Sequence, residues 1–368
     1  MKLFRKIREY VPIKAIAVFL ITIISGIILL IEKLFASFAD FINMISAPFR
    51  MAIAWSTSWI PFSLAEILVI AIPVWLTAFI VIGIKRSKSG LKSTVKYISI
   101  ILCIPCFIFI TFVWTYSSGY YNSELYEKLE FEDIDIGKNE LYETSVWLKD
   151  NLNIIADNVS YGEDNGSFTN DSYDLLSKKI YHSYSKVSDK YDIIYNFPSR
   201  IKPIMLSEPM TYTFISGVYT FMTGEANLNV NYPDFVCVSS LAHEFAHQRG
   251  IAREEEANFI SFLVCTSSDD DFIRYSGYLD AFLNVSSALR KESNELYNSV
   301  IASLDKRVIK DIISYSEFCD KYKDTIASDV ADSVNDKFLQ VNGQEQGIKS
   351  YGMVTKLCVG YFYTEIKK

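Results

Sequence analysis

Residues 241–259 read LAHEFAHQRGIAREEEANF and hold two of the three histidines in a chain of 368 residues. In a helix, residues four apart lie on one face, so His243 and His247 can direct both imidazoles at one ion. Glu244 follows the first histidine, where its carboxylate can hold a water molecule beside a metal without binding that metal. The helix is expected to end near Gly250, because glycine accepts the left-handed conformation that terminates helices. The stretch therefore predicts a metal site with a catalytic base.

The acidic cluster after the second histidine is the expected source of a third ligand. Catalytic zinc usually takes three protein ligands and leaves one position for water. A second helix is predicted to begin around Glu254, after the short connection 251–253, and Glu254 is the preferred ligand. Asn258 shares a face with Glu254 and would support a neighbouring ligand. Glu256 stays open as an alternative ligand.

Two other residues of the types that bind metal are interpreted as taking no part in the metal site. Glu255 is expected on a solvated face of the second helix. The remaining histidine, His182, lies in a helical, tyrosine-rich context and is interpreted as structural. A purely structural metal site is disfavoured, because such sites usually have four ligands rich in cysteine.

Three apolar stretches in the first third of the chain are each long enough to cross a bilayer. They are residues 13–31, 64–84 and 97–116, and a helix needs roughly 20 residues to span the hydrocarbon core. The first follows a basic leader, but no small-residue cleavage site comes after it, so it is interpreted as a retained anchor. Residues 1–116 are therefore predicted to form a membrane anchor with three transmembrane helices. The amphipathic segment 32–63 is expected to lie along the membrane surface or to pack between the spans.

Basic residues predict the orientation of this anchor. Five Lys or Arg precede the first span or lie at its edge, and five more lie between the second and third, whereas 32–63 has only Lys33 and Arg50. The excess of basic residues in cytoplasmic loops then places the N-terminus in the cytoplasm. Three crossings leave residues 117–368 as an extracytoplasmic domain of a multi-pass cell-membrane protein.

Charge also separates the two parts of the chain. Residues 1–116 carry 12 Lys+Arg and 4 Asp+Glu, and the other 252 residues carry 24 and 39. The acidic second part would repel phosphate, which argues against nucleic acid as a partner. The six cysteines show no framework spacing, and Cys103 and Cys106 lie in an apolar run where hydrophobic packing is the preferred interpretation.

Apolar spacing predicts mainly helices in the second part. A hairpin is expected within 217–233, where two short β-like runs flank Thr223 and Gly224. The second part is thus expected to be a mainly α, α+β domain with a small sheet. A Gly/Asn/Asp-rich loop is expected over 161–171, and helices over 142–159, 172–187, 259–265, 272–290, 294–316, 327–340 and 346–365.

The motif pair resembles that of the gluzincin metallopeptidases, which follow HExxH with a later E-x-x-A-D or E-x-x-A-N. The resemblance implies a zincin-like domain with His243, His247 and Glu254 as ligands of Zn²⁺ and Glu244 as general base and acid. It also implies that the run 217–233 is the edge along which an extended peptide is laid by strand addition.

One departure concerns the third ligand. Only six residues separate His247 from Glu254, fewer than in most gluzincins. The spacing is similar to the metzincin pattern H-x-x-G-x-x-H, but Arg253 stands in the place of its third histidine. The layout as a whole resembles an uncharacterised bacterial family with three N-terminal spans and an outer HExxH domain that carries G-E-A-N-x-N, HEFAHQRG and EEEANF.

These features predict a membrane-anchored zinc metallopeptidase that hydrolyses peptide bonds of envelope or secreted proteins. Glu244 would take the proton of the attacking water and pass it to the leaving amine. Tyr219, Tyr212 or Arg249 could donate to the tetrahedral oxyanion. The alternative function is a membrane-anchored sensor or binding protein that keeps a zincin-like metal site and does not cleave.

The orientation can be tested with a reporter enzyme that is active only outside the cytoplasm. Fused after residue 120, it is expected to be active, because three crossings carry that position to the outer face. The same reporter fused within 85–96 is the control and should stay inactive. An inactive fusion after residue 120 would contradict this topology.

Overall fold

The computed structural model describes residues 7–132, 134–162, 166–323, 325–342 and 351–367, and helices dominate it. Its first part is a set of apolar helices joined by short connections. Phe35, in an extended conformation, alone separates the first two of them. These helices are α1 (Ile13–Leu34), α2 (Ala36–Ser58), α3 (Leu64–Ile70), α4 (Ile72–Lys88) and α5 (Leu91–Tyr121).

By length and composition, α1 and α5 can each cross a membrane, and a third crossing exists if α3 and α4 count as one span. The expected span 64–84 is bent by 52° between those two helices. Pro73 explains the break, because proline lacks an N–H donor and its ring clashes with the preceding turn of a helix. The apolar helices indicate a membrane protein, and Lys2, Arg5 and Lys6 of the basic leader lie outside the described residues.

The expected amphipathic segment 32–63 contains one long helix, α2. Its small and polar side packs against α1, the end of α5 and the sheet of the second part of the chain. Its large apolar residues on the other side, among them Phe49 and Trp55, are exposed. The helix therefore joins the apolar helices to the rest of the molecule.

Helices of the second part mostly follow the expected pattern. The expected helix 294–316 is in fact two, because the Asp305 side chain accepts a hydrogen bond from the backbone N–H of Arg307 and caps a new helix there. Residues 346–350 of the last expected helix lie outside the described residues. The helices are α6 (Leu125–Lys128), α7 (Lys138–Ile155), α8 (Tyr173–Lys190), α9 (Ser207–Thr211), α10 (Asp234–Gln248), α11 (Glu254–Thr266), α12 (Asp271–Glu292), α13 (Asn294–Ala302), α14 (Lys306–Tyr322), α15 (Ile326–Val341) and α16 (Tyr351–Tyr361).

Two small sheets complete the fold. Strands β1 (Ser160–Tyr161) and β2 (Ser167–Phe168) pair antiparallel within the expected loop 161–171, of which residues 163–165 lie outside the described residues. The second sheet has the order β3-β5-β4, with β3 (Ile201–Pro203) parallel to β5 (Glu225–Leu228). Strand β4 (Gly217–Thr220) pairs antiparallel with β5 and forms the edge. Gly224 has φ +66°, as the expected hairpin turn requires.

The core of the second part lies between α10, α11, α12 and α7. Their apolar faces bury large side chains almost completely, and an unbroken cluster of this size supplies most of the folding free energy. All six cysteines are free, and three of them lie in this core or at its border. The largest buried contributors include Leu148, Leu152, Phe245, Phe259, Phe262 and Phe282.

Gly250 is expected to tolerate a side chain poorly. Its φ is +94°, and a Cβ atom there would lie 2.4 Å from Nη2 of Arg50 and 2.5 Å from Oδ1 of Asn43. Gly250→Ala should therefore lower the free energy of unfolding by about 1–3 kcal/mol, measured by denaturation in detergent. Gly352→Ala, which faces open space in α16, is the matched control and should be neutral or slightly stabilising. Equal stability of the two variants would contradict the close approach of α2.

Candidate metal centre

Helix α10 places the two histidines of the motif beside each other. It is buried along most of its length, with Leu241, Ala242 and Phe245 in the core. The ring centroids of His243 and His247 are 4.5 Å apart and their planes are perpendicular. Both rings thus reach one region of space from successive turns of a rigid helix.

A tight turn after α10 brings the acidic cluster back to this region. Gly250 ends the helix, and the N–H of Ile251 donates to the carbonyl of Ala246 at 3.1 Å. The guanidinium of Arg50, from α2, donates to the carbonyl of Arg249 at 3.0 Å. Helix α11 then begins at Glu254, as expected from the sequence.

The Glu254 carboxylate meets both imidazoles. Its Oε2 lies 3.3 Å from Nε2 of His243, and its Oε1 lies 3.5 Å from Nε2 of His247. Ligand atoms about 2.0–2.1 Å from a tetrahedral zinc ion would be roughly 3.3 Å apart. One ligand atom from each of the three residues lies within 4.8 Å of the others. The donor set and its spacing therefore fit a divalent cation of the size of zinc.

The charges of these residues also favour a cation. The pKa of His247 is raised to about 9, because the carboxylates of Glu254 and Glu244 outweigh the effect of burial, which lowers it. Burial would raise the pKa of Glu254, but the two neighbouring imidazoles hold it well below its usual range. Positive charge at this point is thus stabilised by its surroundings.

The orientation of the His247 ring is set by its other nitrogen. Nδ1 lies 2.7 Å from the carbonyl oxygen of Ile251, which can only accept a hydrogen bond, so Nδ1 carries the proton. The hydroxyl of Tyr116, at the end of α5, lies 3.1 Å from the same nitrogen. Nε2 is therefore the nitrogen that would bind a cation, and Nδ1 is the one fixed by a backbone carbonyl, the arrangement that metal-binding histidines normally show.

Glu244 is buried beside the two histidines. Gly217 of β4 lies so close that a Cβ atom there would be 2.6 Å from Oε1 of Glu244. The backbone N–H of Tyr219 also donates to this carboxylate. Within the described part of the chain, Oε2 of Glu244 has no hydrogen-bond partner although it is buried. Burial raises the pKa of Glu244 to about 7, while the two histidines oppose the rise.

The other acidic residues of the cluster have different surroundings. Oε1 of Glu256 accepts hydrogen bonds from the N–H of Leu125 at 2.8 Å and from Nη1 of Arg253 at 2.7 Å. These two bonds hold the Glu256 carboxylate away from the histidines. Glu255 is buried, so the expectation of a solvated face is wrong for this residue. Asn258 makes no hydrogen bond to either histidine among the described residues. His182 is exposed on α8, apart from the cluster.

The three candidates for an oxyanion donor also differ in their surroundings. Arg249 is buried and points away from the histidines, donating to Oδ1 of Asn196 and the carbonyl of Phe197. Tyr212 lies against Tyr322, at 5.0 Å between ring centroids, and not at the cluster. Tyr219 is next to Glu244, and burial raises the pKa of its hydroxyl to about 12. Of the three, Tyr219 is the one that contacts Glu244, through its backbone N–H.

Four residues near the cluster were not anticipated from the sequence as part of a site: Tyr116, Arg50, Gly217 and Asp280. Burial raises the pKa of Asp280, in α12, to about 6, and the nearby His243 opposes the rise. In the described structure Nδ1 of His243 is buried and has no hydrogen-bond partner. Asp280 is thus the acidic group suited to orient that ring. No local pattern marks it, because it comes from a helix distant in sequence.

Metal analysis of the full chain can test the donor set. Wild type is expected to retain about one zinc ion per chain after dialysis, and His243→Ala, His247→Ala or Glu254→Gln should weaken zinc binding at least about 100-fold. Loss of a direct ligand should exceed the 10–100-fold cost of losing a residue that only orients one. Competition with a chromogenic chelator measures the affinity.

Glu256→Gln and His182→Ala are the matched controls, since neither side chain faces the histidines. Both should keep the affinity of wild type. If Glu256→Gln lost the zinc and Glu254→Gln kept it, the assignment of the third ligand would be wrong.

Comparison with known proteins gives a family but no characterised relative. No curated protein and no solved structure matches the chain. A family model described as a protein of unknown function (DUF3810) matches residues 41–359. The match begins in α2 and continues through the three clustered residues to α16, so it covers the candidate metal centre and the apolar helices that follow α1. The chain belongs to this family of unknown function, DUF3810.

Proposed function

We propose that this protein is a membrane-anchored, zinc-dependent metallopeptidase that hydrolyses peptide bonds of envelope or secreted proteins. The observation that carries the proposal is the convergence of His243, His247 and Glu254, whose ligand atoms all lie within 4.8 Å of one another and supply the three protein ligands of a catalytic zinc site. Three ligands leave one position for a reacting molecule. A structural site would be closed by a fourth protein ligand.

Zn²⁺ is the proposed ion, because two imidazoles and a carboxylate are its usual catalytic donors. A bound zinc ion would supply Lewis acidity, which polarises a peptide carbonyl and makes water more acidic. The protein contributes the orientation of the donors, through Ile251 and Tyr116 on His247 and the rigid helix α10.

Glu244 is the proposed general base and acid. It lies on the same helix as the two histidines, and its Oε2 has no partner among the described residues, so it can accept a proton from water. A carboxylate in this position can first take a proton from water and then give it to the leaving amine. The N–H of Tyr219 and the close contact with Gly217 hold the carboxylate in place.

The edge strand β4 is the proposed binding site for the substrate backbone. The N–H of Asn229 donates to the carbonyl of Ser216, and the register pairs Val218 with Asn227. In an antiparallel ladder the alternate residues, Gly217 and Tyr219, therefore direct their peptide groups away from β5. An extended peptide could add to this edge next to Glu244.

The proposal includes a zincin-like fold for the second part of the chain and an anchor of three crossings with a cytoplasmic N-terminus. The hairpin β4–β5 beside a helix that carries HExxH supports the first of these. The basic residues at the end of α4 and the start of α5 support the second, with α3 and α4 as one broken span.

Peptide cleavage by the full chain in detergent tests the function. Wild type is expected to cleave members of a broad peptide library, and Glu244→Gln should lower kcat about 10²–10⁴-fold, the usual contribution of a general base. Zinc content should be unchanged in this variant, because Glu244 is not one of the three ligands. His182→Ala, a substitution outside the cluster, is the control for expression and purification and should keep full activity.

Stoichiometric zinc with no cleavage that depends on Glu244 would contradict the peptidase function. That result would favour the alternative, a membrane-anchored sensor or binding protein that keeps the metal site.

A further inference from the structure

We propose that the metal centre works at the surface of the bilayer, and that its substrates are polypeptides anchored in the same membrane and cut within roughly ten residues of the hydrocarbon. This inference rests on the proposed peptidase function and adds the substrate class. Three features of the structure support it: the depth of α5, the position of the β4–β5 hairpin and the two faces of α2.

The length of α5 sets the distance between the metal site and the hydrocarbon core of the bilayer. Lys96 is the last charged residue of α5 before its apolar run, and the 20 residues Tyr97–Tyr116 rise about 30 Å, the thickness of the hydrocarbon core. Tyr116 therefore lies at the membrane–water boundary. Its hydroxyl is 3.1 Å from Nδ1 of His247, so the metal site is on the order of 10 Å from that boundary.

The β4–β5 hairpin, which would receive the substrate, also reaches the membrane–water boundary. The ring of Phe221, at the end of β4, lies 5.5 Å from that of Phe112 and 6.2 Å from that of Tyr116. Phe112 is one helical turn deeper in α5 than Tyr116. One end of a chain added along β4 would thus lie at the membrane–water boundary.

Helix α2 presents a second apolar face near the membrane–water boundary. One side holds the turn that follows the metal ligands: Asn43 donates to the carbonyl of Gly250 and Arg50 to that of Arg249. On the opposite side, Phe41, Phe49 and Trp55 are between 51% and 75% exposed, and Trp59, directly after the helix, is 75% exposed.

Lipid is the occupant of this exposed face. Helix α2 follows α1, a candidate span, after a single residue, so its apolar side continues a surface that already faces the bilayer. Tryptophan is the residue enriched at the boundary between hydrocarbon and headgroups. One helix therefore connects the lipid surface to the backbone of the metal-site turn.

A site held this close to the bilayer favours substrates that are anchored in the same membrane. A polypeptide anchored in the same bilayer meets the site at an effective concentration that can reach the millimolar range. A soluble peptide at micromolar concentration has no such advantage. An extended chain covers about 3.3 Å per residue, so a few residues beyond a span suffice to reach the metal.

The position of α2 can be measured without any activity. The full chain in nanodiscs is mixed with lipids that carry a nitroxide near the carbonyl group, and tryptophan fluorescence is recorded. The double variant Trp55→Phe/Trp59→Phe should lose a large share of the quenching, whereas Trp147→Phe should lose none, since Trp147 packs against Phe262 in the core. Unchanged quenching in the double variant would overturn the proposal, and a dimer that covers these residues would be the competing occupant.

The substrate class is tested with one designed polypeptide: a single transmembrane helix followed by a flexible segment of randomised sequence. Full-length enzyme and polypeptide share a liposome, or are placed in separate liposomes of the same lipids. Cleavage in the shared liposome should be at least about 10-fold faster. A rigid helical spacer of about 30 residues, roughly 45 Å, inserted before the segment should remove most of that advantage.

The outcomes separate this inference from the function on which it rests. Equal rates in shared and separate liposomes, or no effect of the spacer, would overturn the membrane-surface proposal and leave the peptidase function intact. Absence of cleavage that depends on Glu244, with the anchored polypeptide and with soluble peptides alike, would overturn both.

Discussion

The rest of the structure depends on the tight turn that folds α11 back onto α10. Without it, His243 and His247 would be two imidazoles on a buried helix with no acidic partner. Gly250 makes the turn possible, since its φ of +94° is strained for any residue with a side chain, and the space a Cβ atom would need is filled by Arg50 and Asn43. Six residues between His247 and Glu254 are then enough to close the cluster. A longer excursion, as in most gluzincins, is unnecessary when the second helix begins directly after the turn.

The sequence alone predicts those parts of the site that local geometry decides. Two histidines four apart on a helix must share a face, and a glycine after the helix must end it, whatever the tertiary fold is. The order of helices and the β4–β5 hairpin follow from spacing in the same way. The choice between Glu254 and Glu256 is different, because it depends on the rotation of α11 about its axis. In the structure, Leu125 and Arg253 bind Glu256, and this leaves Glu254 facing the histidines.

Contacts between distant parts of the chain account for what the sequence could not predict. Tyr116 meets His247 across 131 residues, and Arg50 meets Arg249 across 199. Neither residue stands in a recognisable pattern. The same reason explains Arg249: a basic side chain beside the motif suggests a donor to substrate, but stacking on Tyr184 and hydrogen bonds to Asn196 direct it into the core. The break before Pro73 is a local feature that an apolar stretch of spanning length does not reveal. The structure resolves it as a 52° bend.

The apolar helices are therefore part of the candidate site and do more than anchor it. Arg50 is 2% exposed, and its guanidinium donates to three backbone carbonyls, one of them at the end of α10. Tyr116 contributes a hydroxyl beside the proton of His247. A chain that began at residue 117 would lose both groups and would leave the carbonyl of Arg249 without its partner. A buried polar group that loses its partner costs about 1–3 kcal/mol. Because that carbonyl lies in the turn that brings Glu254 to the histidines, the affinity for metal and the integrity of the membrane part should be coupled through this one contact.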